Sequence, residues 1–266
     1  MAGQGAANLR VAFLGGGNIN RTLREQVERA RPYEVVGTFG RDDQLSAGAD
    51  VDVVVEAATQ AAVRERVPAL LDAGVDVVLL SVGALSDATV RARLLDTQAP
   101  GHGKLIACTG AIGGLDQVRA LRAAGPLRTV SIESRKLPAT LVQPWMTPDL
   151  QSALRDGRGE IVLADGPAGE VSQRFPSSAN VAAALALAAD AWDIATARII
   201  ADPAAVRTRH EIHVVGELGE VRAVVENAPS PERPRSSAVV AWAALRALDD
   251  YSRLRGFAGP PGAVML

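Results

Sequence analysis

Leu9-Arg10-Val11-Ala12-Phe13-Leu14-Gly15-Gly16-Gly17-Asn18-Ile19-Asn20 decides the fold. The run from Leu9 to Leu14 reads as a buried parallel strand. Residues 22–30 carry a helical pattern, so the glycines lie in a strand-to-helix turn. In that context a Gly-x-Gly repeat binds a dinucleotide. Gly15 permits the tight turn, and Gly17 lets a pyrophosphate approach the backbone and the positive end of the helix. Asn18 and Ile19 complete the turn. Asn20 stands where the usual fingerprint has its third glycine, which predicts a wider helix approach or an amide that meets the ligand.

Working outward, strand and helix alternate. Residues 33–39, 51–55, 75–80 and 104–108 read as further strands, the last of them buried. Val63, Val67, Leu70 and Leu71 mark an amphipathic helix, kinked by Pro68 and capped by Gly74. Ser86 is the expected N-cap of a helix ending at Leu95. Repeated units of this kind imply a parallel sheet with right-handed crossovers. After a helix at 115–124 the pattern changes. Residues 127–136 alternate singly, and 160–163, 195–201, 212–215 and 221–225 read as strands, with Gly216-Glu217-Leu218-Gly219 as a hairpin turn. Helices are expected at 167–174 and 179–190. The expected fold is α/β: a Rossmann-type parallel-sheet domain (1–114 plus 235–266) and an α+β catalytic and dimerisation domain (115–234) with a largely antiparallel sheet. The final helix, 236–253, returns to the first domain, and 256–266 is expected to be a loose tail.

Size and charge exclude several classes. The 266 residues are 48% hydrophobic, with 28 Lys+Arg against 30 Asp+Glu. This balance argues against nucleic acid and against a basic membrane-binding face. The first residues lack a basic start and an apolar stretch, and the apolar run at 181–189 is too short to span a bilayer. One cysteine fits a reducing cytoplasm.

Ligands of an open α/β sheet bind beyond the carboxyl ends of its strands. Ala57-Ala58-Thr59, Ser81-Val82-Gly83-Ala84 and Thr109-Gly110-Ala111 put small residues there, which admit a nicotinamide and its ribose. The tip of the second strand reads Phe39-Gly40-Arg41-Asp42-Asp43, with no acid directly at the strand end. Arg41 can pair with a 2′-phosphate, which points to NADP, with NAD also accepted. Three histidines are present. His102 is expected in an exposed turn. His210 and His213 fall on opposite faces of a strand, which excludes a shared metal; read alone, His210 is either structural or a proton carrier. Cys108 at a strand end offers a second chemistry, a thioester-forming aldehyde or semialdehyde dehydrogenase, against a buried hydrophobe. A non-catalytic NAD(P)-binding sensor is the third reading.

The ordered motifs resemble the L-aspartate dehydrogenases over most of the chain. They are Gly15–Ile19, Glu56-Ala57-Ala58, Ser81-Val82-Gly83-Ala84-Leu85-x-Asp87, Gly110-Ala111-Ile112-Gly113-Gly114-Leu115-Asp116, Arg135-Lys136, Phe175-Pro176 with Asn180, Ala201-Asp202-Pro203, His210-Glu211-Ile212 and Glu226-Asn227 with Pro229-Ser230. The resemblance implies a homodimer and reversible NAD(P)-dependent conversion of L-aspartate to iminosuccinate, then oxaloacetate and ammonia. It implies His210 as the catalytic residue and Ala111 and Asn180 as cofactor contacts, Asn180 lying beside the substrate as well. Further cofactor contacts are expected from Gly15, Gly17, Asn18, Ile19, Arg41, Ala57, Ala58, Ser81 and Gly83. Lys136 or Arg135, on opposite strand faces, would hold a substrate carboxylate. Asn20, Cys108, Ser178, Thr208-Arg209 and the segment 233–237 depart from the family pattern, so the expected substrate is aspartate or a close analogue.

Overall fold

The computed structural model describes residues 7–43, 50–95, 101–157, 159–232 and 234–264. Residues 1–6, 99–100, 233 and 265–266, on which the sequence reading touched, lie outside the described residues. The chain packs as two compact units: residues 1–84, 88–110 and 240–266, and residues 85–87 with 111–239.

The first unit opens with β1 (Arg10–Leu14), α1 (Asn18–Ala30), β2 (Glu34–Phe39), β3 (Val53–Glu56), α2 (Gln60–Asp72), β4 (Asp76–Leu79), α3 (Ala88–Leu95) and β5 (Leu105–Ala107). Its sheet runs β2-β1-β3-β4-β5, and every pair is parallel. Sequence order reverses at β1, between β2 and β3, so the glycine turn stands at the switch point. β3 and β4 are wholly buried, as their Val-rich runs require, whereas β5 is a half-buried edge and not the buried strand expected. Helix α2 runs unbroken through Pro68. Gly74 closes it at φ +80°, with Gly74 N–H donating to Leu71 O and Val75 N–H to Leu70 O. Ser86 is not a helix cap: it ends a 3-10 turn, Val82–Ser86, and its buried Oγ finds no partner among the described residues.

The second unit holds α4 (Leu115–Ala124), β6 (Thr129–Lys136), α5 (Pro148–Asp156), β7 (Ile161–Pro167), α6 (Ala168–Arg174), α7 (Asn180–Ala189), β8 (Ala195–Ala201), β9 (Thr208–Val215) and β10 (Glu220–Asn227). Its sheet order is β10-β9-β6-β8-β7, antiparallel except where β6 meets β8. Gly216 N–H donates to Gly219 O and closes the β9–β10 hairpin. Helix α7 (NVAAALALAA) packs against β6 and β8, and its small residues allow a close approach.

The last helix, α8 (Val240–Arg255), belongs to the first unit. Ala244, Leu245 and Leu248 join Val11, Phe13, Leu23 and Val55 in one core. Asp249 accepts two bonds from Arg31 (2.8 and 2.9 Å) and one from Tyr33 Oη (2.8 Å). Such a bidentate, partly buried pair outweighs an exposed ion pair. The described part of the tail is tied down, contrary to expectation: Ala258 N–H donates to Ala7 O, and Arg253 Nε donates to Pro260 O. Gly256, at φ +76°, turns the chain back to allow it.

Candidate active site

In the first unit, Gly15 takes φ +103° and packs so closely on Ala57 and Ala58 that a Cβ would lie 2.9 Å from Ala58 Cα. Glycine is required there on both counts. Nothing lies within 4 Å of a Cβ built on Gly16. Gly17 caps α1 without a side-chain bond, and no acid stands in the first turn of the helix. An open cradle, an uncapped helix start and no competing acid fit a pyrophosphate. Asn18 Oδ1 accepts from Arg21, and Ile19 packs on the core.

Asn20 does not reach outward. It is buried, and its Nδ2 donates to Leu14 O (2.9 Å) and Gly15 O (2.8 Å), so its amide braces the turn. Glu56 is a second brace. Its buried carboxylate accepts from Ala58 N–H (2.8 Å), Ser81 N–H (2.9 Å) and Ser81 Oγ (2.8 Å). Burial pushes its pKa up against the three donors. Ser81 thus holds Glu56 and does not present a free hydroxyl, while Gly83 is buried in the following 3-10 turn. At the tip of β2, Arg41 is exposed. Arg66 donates to Gly40 O (2.6 Å) and Asp43 O (2.7 Å), and Asp43 Oδ2 accepts from Gly40 N–H (2.7 Å). Asp43 is therefore folded back onto the backbone, with a guanidinium bracing the loop.

Burial overturns one expectation in this unit and decides between two readings of another residue. His102 is buried, with Nδ1 3.5 Å from Asp72 Oδ1, because Gly103 N–H donates to Leu71 O and draws the turn onto the end of α2. Cys108 is only 4% exposed, and burial pushes its thiol up to about 11. A thiol so far from ionised is not a nucleophile at neutral pH, which argues against the aldehyde dehydrogenase reading. Iodoacetamide is expected to leave the native protein unlabelled and fully active, and to label one site after denaturation. Rapid native labelling with loss of activity would restore that reading.

In the second unit the chemistry is written along two neighbouring strands. β6 and β9 pair Val130 with Val214, Ile132 with Ile212 and Ser134 with His210. All six lie on the buried face. Two apolar rows thus give way to a polar one, and Lys136 on β6 and Thr208 on β9 follow it, both buried. Ser134 Oγ lies 2.8 Å from His210 Nδ1. Among the described residues, Lys136 Nζ donates to Ser178 O (3.2 Å) and makes no ion pair. Burial alone lowers the Lys136 ammonium to about 8. Burial first, then the Lys136 charge, pushes His210 down to about 3, so its imidazole is neutral. Ser178 Oγ is buried and has no hydrogen-bond partner among the described residues, two residues before α7 begins at Asn180. Asn227 Nδ2 donates to Ala111 O (2.8 Å) and fixes the loop before α4.

The structure therefore gathers Lys136 and His210 and separates Arg135 from them. Arg135 lies on the other face of β6, bonded to Glu133 (2.9 Å) and Glu160 (2.7 Å), and is not part of this row. His213 shares that other face, apart from His210. Among the described residues no cluster of His, Cys, Asp or Glu could hold a metal, and no helix is long and apolar enough to cross a membrane. The sequence reading missed Ser134, although a polar residue two before Lys136 in an alternating strand was its signal.

Comparison with known proteins supplies the context. Residues 116–251 match the family described as aspartate dehydrogenase, C-terminal, and residues 2–107 match homoserine dehydrogenase, NAD binding domain. The L-aspartate dehydrogenase of Methanosarcina barkeri is 40% identical over 199 residues, 75% of this chain and 73% of that one. That of Ruegeria pomeroyi is 37% identical over 271 aligned residues, covering 95% of this chain and 94% of that one. The crystal structure of aspartate dehydrogenase from Thermotoga maritima superposes with a TM-score of 0.70, over 97% of this chain and 99% of that one, at 21% identity. That likeness establishes the fold.

Proposed function

We propose that this chain, which belongs to the aspartate dehydrogenase family, interconverts L-aspartate, or a close analogue, with iminosuccinate and then oxaloacetate and ammonia. It is an oxidoreductase acting on CH–NH2 donors. The observation that carries the reaction is the buried row of Ser134, His210 and Lys136, a neutral base beside an ammonium that has no carboxylate partner among the described residues.

The nicotinamide, when bound, takes up or returns the hydride of the substrate α-carbon. Lys136 pairs with one substrate carboxylate, which offsets the smaller of the two causes that depress His210, burial being the larger. His210 Nε2 then takes a proton from the water as its oxygen adds to the imine carbon, and passes that proton to the nitrogen; the remaining hydroxyl proton follows the same route as the carbonyl forms, the C–N bond breaks and ammonia leaves. Gly15, Gly16, Gly17 and the start of α1 receive the pyrophosphate, with Ala57, Ala58, Ala111 and Asn180 as further cofactor contacts. Asn20, Glu56 and Ser81 keep the glycine turn and its neighbours in shape. Exposed Arg41, with Asp43 folded back, supports NADP as the preferred cofactor. The single cysteine supports a cytoplasmic location, and the family resemblance supports a homodimer.

The test is oxidation of NADPH or NADH by oxaloacetate plus ammonium. Turnover with both, faster with NADPH, is expected. Arg41→Ala is expected to weaken NADPH about tenfold and leave NADH unchanged, as removal of one charge-assisted bond should. Tight NADPH binding without turnover on any keto acid would favour the sensor reading.

A further inference from the structure

Ser134 and His210 sit directly opposite each other on antiparallel strands, and both side chains face the buried side, 5% and 1% exposed. The short bond between them, 2.8 Å from Oγ to Nδ1, leaves Nε2 as the ring nitrogen without a protein partner among the described residues. A neutral imidazole carries one proton, and its other nitrogen is the base. A serine hydroxyl can accept or donate by rotating, so either tautomer satisfies the bond. The chemistry decides between them. If Nε2 is to take a proton from water, its lone pair must be bare, and the proton must sit on Nδ1.

We infer that Ser134 is the positioning residue of His210: its Oγ accepts the Nδ1–H, holds the ring in place, and fixes the tautomer whose Nε2 lone pair faces the substrate. The assignment rests on His210 being the base. Two paired strands fix both partners, so the ring is oriented before substrate arrives, which is where a group that never touches substrate contributes to rate. On ionisation, the Nδ1–H bond to Oγ becomes charge-assisted and strengthens.

The measurement is the tautomer itself, from nitrogen chemical shifts of histidine-labelled protein, with His210 identified by the signals lost in His210→Ala. Wild type is expected to show the Nδ1–H form. Ser134→Ala is expected to shift toward the Nε2–H form and lose kcat by about 10- to 100-fold with KM for oxaloacetate little changed. Ser134→Thr, which keeps the hydroxyl, is expected to restore both. An Nε2–H tautomer in wild type overturns the inference. So does a loss of kcat in Ser134→Ala with the tautomer unmoved, the mark of a merely structural residue. Full activity in His210→Ala would sink the catalytic reading on its own, while the wild-type spectrum still decides the role of Ser134.

Discussion

His210→Ala is expected to lower kcat by about 10²- to 10⁴-fold, the range for removing a positioned general base. Cofactor binding should persist, because the glycine turn and its braces belong to the other unit. The His210 side chain is 1% exposed, so the variant also leaves a buried gap, and its melting temperature needs to be read alongside. A folded variant that binds NADPH and turns over at the wild-type rate would remove His210 from the mechanism. The pH profile is a second check. Since free His210 is pushed down to about 3 by burial and by Lys136, the free protein is expected to show no acid limb near pH 6 in kcat/KM for oxaloacetate. A limb at the ordinary histidine value would mean that the ring is far more hydrated than its place on β9 allows.

Lys136→Met is expected to lower kcat/KM roughly 10- to 150-fold, mostly through KM, if a charge-assisted carboxylate pair of about 1.5–3 kcal/mol is lost. Stability should move the other way. A buried ammonium that donates to a backbone carbonyl rather than to a carboxylate among the described residues is costly, and an apolar chain of similar volume removes that cost, so Tm should hold or rise. Succinate gives the sign with pH, since it has two carboxylates and no amine. Lys136 is charged below its value of about 8 and binds the dianion; above it the charge is lost. Succinate is therefore expected to bind about tenfold more weakly at pH 9 than at pH 7, and weakly at both in Lys136→Met. Affinity independent of pH in wild type would place the carboxylates elsewhere.

The fold was legible because its signals are local. Alternation at 129–136, the valine runs of β3 and β4, and glycines at strand ends each follow from neighbouring residues. Thr147-Pro148-Asp149 was an unread signal of the same kind: Thr147 Oγ1 accepts from Leu150 N–H and starts α5. What stayed hidden depends on register and burial. Ser134 is an ordinary strand residue until β9 is set against β6, 76 positions away, and puts His210 across from it. From sequence, Asn20 implies a wider helix approach or an amide that meets the ligand, and not a brace, because helix periodicity cannot say which carbonyls lie within its reach. His102 sits among turn residues, yet the end of α2 covers it.

Helix α8 has a consequence for how the protein is made. The core around Val11 and Phe13 includes Ala244, Leu245 and Leu248, so the unit that is begun first on the ribosome is finished last. At synthesis rates of about 5–20 residues per second, the β1–β5 sheet waits roughly 7–30 s for that helix. During that interval its apolar face lacks a cover, while residues 111–239 emerge with all of their strands. The later segment is thus the one that can complete itself during translation. The nascent β1–β5 segment is the part expected to depend on a chaperone, and a nonsense codon shortly before Val240 is expected to leave its core uncovered.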